Sequence, residues 1–305
     1  MLEPARDTAA GAAMRWEGKG TAMAVLLIAL LCYSLCVILA RIVYGHGGDA
    51  LAVLISRMGV FFFFLWIYFA VSGRSIALER RDLLGSMLIG AVVAVQSYSY
   101  YSAFQYIPVS LAVLIFYTYP TLVALVSRAL ARTPLGPAMI AVLVAAFFGL
   151  ALVLEASIAD VETHGLIRAG MASLGMTITV MLASRILARV DPQVMAFYSA
   201  GVTSAIYVAA AMTMGAATAP ASFVGWAALI AMPLVYTFGL LGWYASLRVL
   251  GTVRASFVSN FEPLFTVLLA AILLGETMSL RQMMGGALVV GAVVAIQWAG
   301  WRKSS

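Results

Sequence analysis

Long apolar stretches alternate with short polar connections along the chain from residue 20 to residue 301. A membrane-spanning helix requires about 20 mostly apolar residues. The segments that meet this requirement are 20–41, 50–71, 83–104, 109–131, 137–155, 165–187, 193–214, 223–247, 253–274 and 281–301. Backbone groups in lipid must be hydrogen-bonded internally, and these segments are too long for the strands of a barrel. The pattern therefore predicts ten transmembrane helices, numbered here as spans 1 to 10.

The composition supports an integral membrane protein. Hydrophobic residues make up 64% of the chain and charged residues only 10%, whereas a soluble protein carries about 25% charged residues. The net charge is +6, but the basic residues are scattered and form no patch interleaved with aromatic residues, as a nucleic-acid-binding surface would. We therefore expect contact with the lipid bilayer and none with nucleic acid.

The basic residues also predict the orientation of the chain. If the N-terminus is cytoplasmic, the outer connections receive only Arg41, Arg168 and Arg281. All other lysines and arginines, except Arg57 within span 2, then fall on the cytoplasmic side. Cytoplasmic connections are characteristically rich in basic residues. Both termini are therefore predicted to be cytoplasmic, with residues 1–19 forming a polar tail.

The two halves of the chain align with each other. Aligned pairs include Tyr101 with Tyr244, Ala112 with Ala255, and Pro120 with Pro263. Residues 20–155 and 165–301 are therefore predicted to be two five-helix repeats. Because five is odd, the second repeat would enter the membrane inverted. Inverted repeats are a recurrent plan of secondary transporters, with the substrate site near the membrane midplane.

Small residues recur at every fourth position in two predicted helices. They are Ala287, Gly291, Ala295 and Ala299 in span 10, and Ala141, Ala145 and Gly149 in span 5. Small residues at this spacing allow close helix approach. We expect these faces to pack tightly, either within a monomer or across a homodimer.

Two proline-centred spans and the motif LLGE at the end of span 9 (273–276) resemble the drug/metabolite transporter superfamily, specifically its EamA-like bacterial members. The stretch EPLFTVLLAAILLGE, from Glu262, is the most similar, whereas span 4 ends in LART instead. The resemblance covers nearly the whole chain after residue 20. It implies a ten-helix transporter of the bacterial inner membrane, with alternating access around a cavity lined largely by spans 3, 4, 8 and 9.

Two charged residues lie deep within predicted spans, Glu262 in span 9 and Arg57 in span 2. Insertion scales put a charge at a helix centre at roughly 2.5–3.5 kcal/mol unfavourable, so such a residue normally faces a cavity or a partner. Glu262 is expected to bind a substrate ammonium group, a cation or a proton, or else to be a structural carboxylate. Arg57 is expected to bind a carboxylate, either of the substrate or of Glu262, or else to extend outward to the membrane surface.

Polar and aromatic residues extend this set of candidates. Gln96 and Tyr100 share a face of span 3, and Tyr100 aligns with Trp243 in the second repeat. The aromatic residues suit either a cavity for a flat solute or the aromatic belt at the membrane interface. The candidate binding residues are Arg57, Gln96, Tyr100, Tyr117, Tyr119, Trp243, Ser259, Asn260 and Glu262, with Pro120 and Pro263 as helix breaks.

Taken together, the pattern favours a secondary transporter that exports small amphipathic metabolites, with amino acids preferred and protons as the candidate coupling ion. The alternatives are a channel-like or exchange pathway for another metabolite, and multidrug efflux. An enzyme is not expected, because neither histidine lies in a span and no nucleophile–base pair is visible. No metal-binding or cofactor-binding motif is visible either, so we expect no cofactor.

Overall fold

A computed structural model describes residues 18–104, 106–131, 137–155, 161–214, 217–274 and 278–301. All regular secondary structure in these ranges is helical. The helices are α1 (Lys19–Gly45), α2 (Ala50–Ser72), α3 (Arg80–Ala103), α4 (Val109–Phe116), α5 (Tyr119–Leu130), α6 (Pro137–Leu154), α7 (Thr163–Leu187), α8 (Pro192–Met214), α9 (Phe223–Leu250), α10 (Thr252–Val258), α11 (Phe261–Leu274) and α12 (Leu280–Trp301). Nearly all of the predicted tail and the Gly-Glu of the LLGE motif lie outside the described residues.

The helices confirm a multi-pass membrane protein. In the described part of the chain, eight helical segments are long and apolar enough to cross a membrane, and Ile140–Leu154 is a shorter apolar helix. A helix lies at the position of every predicted span, with α4–α5 and α10–α11 each occupying one span. The count of ten spans and the cytoplasmic location of the termini stay predictions.

Spans 4 and 9 are each interrupted near the middle. Residues 117–118 separate α4 from α5, and residues 259–260 separate α10 from α11. Pro120 and Pro263 lie in the first turn after each break, where the missing backbone N–H removes no helical hydrogen bond. The second break remains internally bonded, because the Glu262 N–H donates to the carbonyl of Ser259 at 3.0 Å. Tyr117 in the first break and Ser259 in the second are both buried within the bundle.

Equivalent helices of the two repeats have equivalent neighbours. α1 packs along α9, and the corresponding pair, α7 and α3, packs in the same way. The contact of α3 with α8 is likewise matched by that of α9 with α2. Two further contacts, α2 with α8 and α6 with α12, join helices that occupy the same position in each repeat. This packing agrees with a two-repeat architecture and places both repeats around one centre.

α6 and α12 approach each other closely at a pair of glycines, Gly149 and Gly285. A Cβ atom on Gly285 would lie 2.5 Å from the carbonyl oxygen of Gly149 and 2.6 Å from the backbone nitrogen of Val153. Real Cβ contacts are longer than this, so no side chain fits at Gly285 without moving a helix. Gly149 is one of the small residues at every fourth position of span 5, and it packs tightly as that spacing predicted.

By contrast, the prediction of a tightly packed face on α12 is wrong for contacts within the chain. Ala287, Gly291 and Ala295 are exposed, as is Ala141 of α6, and the side chain of Ala299 lies outside the described part. α12 carries small residues on more than one face, and the spacing alone does not identify the face that meets α6. Contact between a second copy and the exposed face stays a prediction.

An ion pair joins the first turn of α3 to the connection that follows α7. α3 begins at Arg80 rather than at residue 83, and its first turn contains Asp82, which is only 5% exposed. Arg189, in the connection after α7, donates from Nη2 to Asp82 Oδ1 at 2.6 Å and from Nε to Oδ2 at 3.4 Å. This two-point contact links the first repeat to the second.

The glycine contact yields a stability prediction. Gly285→Ala is expected to lower the free energy of unfolding by about 1–3 kcal/mol, because the added methyl group overpacks the crossing with α6. Gly291→Ala is the matched control on the same helix, since nothing lies within 4 Å of its added Cβ, and it should not destabilise. Thermal unfolding of the purified protein in detergent measures both. Equal midpoints for the two variants would contradict the crossing.

Candidate functional site

A cavity of about 160 Å³ lies at the centre of the bundle. Its walls include side chains from α1, α2, α3 and the first helix break in one repeat, and from α7, α8, α9 and the second break in the other. The resemblance implied a cavity lined largely by spans 3, 4, 8 and 9. In the structure, spans 1, 2, 6 and 7 contribute to the walls as well.

Almost all predicted binding residues meet at this cavity. The lining residues among them are Arg57, Gln96, Tyr100, Tyr117, Tyr119, Trp243, Ser259 and Glu262. Asn260 is 4% exposed and lies in the second break, but it is not a lining residue. Pro120 and Pro263 are buried beside the breaks. The structure therefore brings together residues that are far apart in sequence.

Glu262 lies in the first turn of α11 and is partly buried. Tyr117 of the other break and Arg57 are side chains that interact electrostatically with the carboxylate of Glu262. Its backbone carbonyl accepts hydrogen bonds from Ser34 Oγ at 2.8 Å and Thr266 Oγ1 at 2.9 Å, which hold this turn against α1. A carboxylate has about four acceptor sites, so one tyrosine leaves capacity for a ligand.

Arg57 is held inside the bundle by two tyrosines. Its guanidinium carbon lies 4.5 Å from the ring centroid of Tyr236, and Nη1 donates to the Tyr101 hydroxyl at 3.3 Å. A guanidinium over an aromatic face is stabilised by the ring quadrupole. In the described residues no direct ion pair joins Arg57 to Glu262. The two opposite charges therefore face one cavity without neutralising each other by contact.

A hydrogen bond between α9 and the second break shapes the cavity wall. The indole Nε1 of Trp243 donates to Ser259 Oγ at 3.2 Å, and Ser259 Oγ donates to the carbonyl of Ala255 at 3.0 Å. Trp243 and Ser259 are both almost fully buried. On the other side, the ring of Tyr100 packs against Phe116, with centroids 4.6 Å apart. The rings of Trp243 and Tyr100 thus face the interior of the bundle.

Several lining residues were not predicted. They are Tyr33, Cys36, Ser97, Thr179, Ser199, Thr203 and Tyr236, together with several apolar side chains. Tyr33 and Tyr236 lie well inside their spans, away from the interface where tyrosine is usual. This position could have identified them as candidates for the cavity wall. Cys36 was interpreted as a small apolar residue, yet its thiol donates to the carbonyl of Met232 at 3.7 Å. Thr179 had no such signal, because serine and threonine occur throughout the spans.

These features define a helical membrane protein whose two repeats enclose a polar and aromatic cavity. The chain belongs to the EamA-like transporter family, whose sequence model matches residues 20–155 and, a second time, residues 163–298. An uncharacterized transporter of Archaeoglobus fulgidus is 27% identical over 285 residues, covering 90% of this chain and 95% of that protein. A crystal structure with a TM-score of 0.76 and 18% identity covers 91% of this chain and 98% of its own, and shows the fold alone.

Family membership identifies the protein as a membrane transporter of the drug/metabolite type. It argues against an enzymatic function and implies a small-molecule substrate. The substrate, the direction of transport and the coupling ion are not specified by the family, so they must be argued from the cavity.

The contact between Trp243 and Ser259 can be tested through stability. Ser259→Ala removes the acceptor of a buried indole N–H, and an unsatisfied donor costs about 1–3 kcal/mol, so the thermal midpoint should fall. Ser256→Ala, three residues earlier on α10, is the control, because its buried hydroxyl has no hydrogen-bond partner and its loss should not destabilise. If Ser256→Ala were the more damaging change, the assignment of this hydrogen bond would be wrong.

Proposed function

We propose that the protein exports zwitterionic amino acids across a bacterial inner membrane by alternating access. The observation that carries the proposal is the pair of opposite charges, Arg57 and Glu262, which line one cavity from different repeats without a direct ion pair. An α-carboxylate is a strong acceptor for a guanidinium, and an α-ammonium is a matching donor for a carboxylate. A single zwitterion satisfies both charges at once.

The remaining walls support binding of an ammonium group at the Glu262 side. Tyr117 interacts with the Glu262 side chain, and the rings of Tyr119 and Trp243 line the same cavity. Aromatic faces attract cations, more strongly where water is excluded. An ammonium group beside Glu262 would therefore gain from the rings as well as from the carboxylate.

The size of the cavity favours a small metabolite over multidrug efflux. Its volume is about 160 Å³, whereas pockets for drug-sized ligands measure roughly 300–1,000 Å³. An engineered apolar cavity of about 150 Å³ accommodates benzene. A compact amino acid is therefore a better match than a large hydrophobic drug.

Glu262 also provides a route for proton coupling. In this proposal the carboxylate binds either a proton or the substrate ammonium, so that each displaces the other. Protons that enter from outside would then exchange for amino acids that leave the cytoplasm. The two broken helices support alternating access, because transporters commonly place their sites at discontinuous helices near the repeat interface.

Glu262→Gln tests the role of the carboxylate. In proteoliposomes loaded with labelled amino acids, this variant should reduce flux at least about tenfold, the effect of losing about 1.4 kcal/mol of substrate binding. Any residual flux should no longer respond to a pH gradient. Glu162→Gln, at an exposed position before α7, is the matched control and should transport normally. Normal, pH-dependent flux in Glu262→Gln would make Glu262 a structural residue.

Arg57→Gln tests the other half of the zwitterion. It should weaken competition by the amino acid and by the acid lacking the ammonium group, but not by the amine lacking the carboxylate. Glu262→Gln should show the reverse preference between the acid and the amine. Competition against labelled substrate measures each inhibition constant. Equal losses for acid and amine in both variants would contradict separate binding of the two charged groups.

Counterflow measurements separate the proposal from a channel-like pathway. A transporter with alternating access accumulates labelled amino acid transiently when unlabelled amino acid is present on the opposite side of the membrane. A channel shows only equilibration. Absence of counterflow in protein that conducts amino acids would favour the channel.

A further inference from the structure

In the described residues, three of the six buried side-chain polar atoms without a hydrogen-bond partner belong to residues that line the cavity. Among the described residues, the buried side-chain atoms without a hydrogen-bond partner include Arg57 Nε, Gln96 Oε1 and Thr179 Oγ1, and all three residues line the cavity. Buried polar groups in native proteins are nearly always paired, so each exception requires an explanation. Arg57 is already accounted for by the proposed carboxylate contact, which leaves Gln96 and Thr179.

Thr179 departs from the behaviour of its neighbours on the helices. A threonine within a helix commonly donates its hydroxyl to a carbonyl three or four residues earlier. Thr177 does so to Ser173 at 2.9 Å, and Thr203 does so to Ser199 at 2.9 Å. The hydroxyl of Thr179 makes no such bond, although the residue is only 3% exposed.

Gln96 and Thr179 lie on one wall of the cavity. Gln96, 9% exposed, packs on Gly175 of α7, where an added Cβ would lie 2.8 Å from the Gln96 Cβ. Thr179 follows Gly175 by four residues and so lies on the same face of α7, about one turn of 5.4 Å away. The glycine lets α3 and α7 approach closely and brings a carboxamide and a hydroxyl to the same wall.

A purely structural role does not account for these two side chains. Val at 179 and Leu or Met at 96 would fill similar volumes without leaving unpaired polar atoms, and a buried polar group without a partner is destabilising. Neither side chain is charged, so the wall is suited to a neutral polar group. Between them, a hydroxyl and a carboxamide can both donate and accept hydrogen bonds.

We infer that Gln96 and Thr179 form a specificity subsite that hydrogen-bonds the neutral polar side chain of the transported amino acid. The inference rests on the proposed function, in which Arg57 and Glu262 bind the α-carboxylate and α-ammonium groups. The preferred substrates then carry a hydroxyl or carboxamide group, as threonine and glutamine do. A site built to hydrogen-bond a substrate group discriminates strongly against an analogue that lacks it, because the polar groups of the site are left unpaired.

Threonine and valine are the probes for this subsite, since they have nearly the same shape and differ in one hydroxyl. Wild-type protein should bind threonine at least about tenfold more tightly than valine. Thr179→Val should bring this ratio close to one by weakening threonine binding alone. Thr179→Ser, which restores a hydroxyl, should recover most of the preference. Gln96→Met, an apolar chain of similar length, should also reduce the ratio.

Thr177→Val is the matched control, because Thr177 lies on the same helix, has a satisfied hydroxyl and does not line the cavity. It should keep the wild-type ratio. Thermal unfolding provides an independent readout, since Thr179→Val removes an unpaired hydroxyl and should leave the midpoint unchanged or higher. A lower midpoint with equal losses of threonine and valine binding would mean a structural hydroxyl and would overturn the subsite.

The outcomes for wild-type protein separate this inference from the proposed function. If threonine and valine bind equally well, amino-acid transport stands and the subsite is wrong. If threonine, valine and glutamine all fail to bind, the proposed function fails, and the subsite fails with it as an amino-acid site. If the Thr179→Val variant still bound threonine more tightly than valine, other residues would be responsible for the discrimination, and the assignment would also be overturned.

Discussion

The absence of water in the hydrocarbon layer is the constraint on which the structure depends. A free peptide group or an isolated charge is costly there, so any irregular backbone or ionisable side chain must lie inside the bundle. The two helix breaks meet this condition, because they lie at the central cavity with Tyr117 in one and Ser259 in the other. The same cavity receives Glu262 and Arg57. Helix interruption and burial of charge therefore occur together, at the cavity that we propose as the substrate site.

Much of this arrangement could be predicted from the sequence, because the constraint leaves a clear pattern. Apolar length predicts the helices, and a proline in mid-span predicts a break. A carboxylate beside Pro263 and an arginine in span 2 are rare enough in lipid to indicate an interior cavity. Internal alignment then pairs Tyr100 with Trp243 across the two repeats, and both residues line the cavity. These predictions need only local composition and order along the chain.

The lateral packing of helices could not be predicted in the same way. Thr177 and Thr179 are two residues apart in one span, yet one bonds its own helix and the other faces the cavity. α12 has small residues on several faces, and its contact with α6 determines that Gly285 is the tightly packed position and that Gly291 is not. The rotation of a helix about its axis depends on its contacts with segments that are distant in sequence. The hydropathy of a single segment therefore does not predict which of its faces meets which neighbour.

The contact between α6 and α12 has a consequence for motion. These two helices hold the same position in their respective repeats, as do α2 and α8. If the two repeats exchanged conformations, α6 would take the place of α12 and α12 that of α6, so the contact between them would be the same contact after the exchange. The contact of α1 with α9, by contrast, is converted into that of α7 with α3, and the contact of α3 with α8 into that of α9 with α2. In the alternating access proposed above, the glycine crossing can therefore keep one geometry while other helix contacts change. A tightly packed, self-equivalent crossing is thus compatible with a transporter whose two repeats exchange conformations.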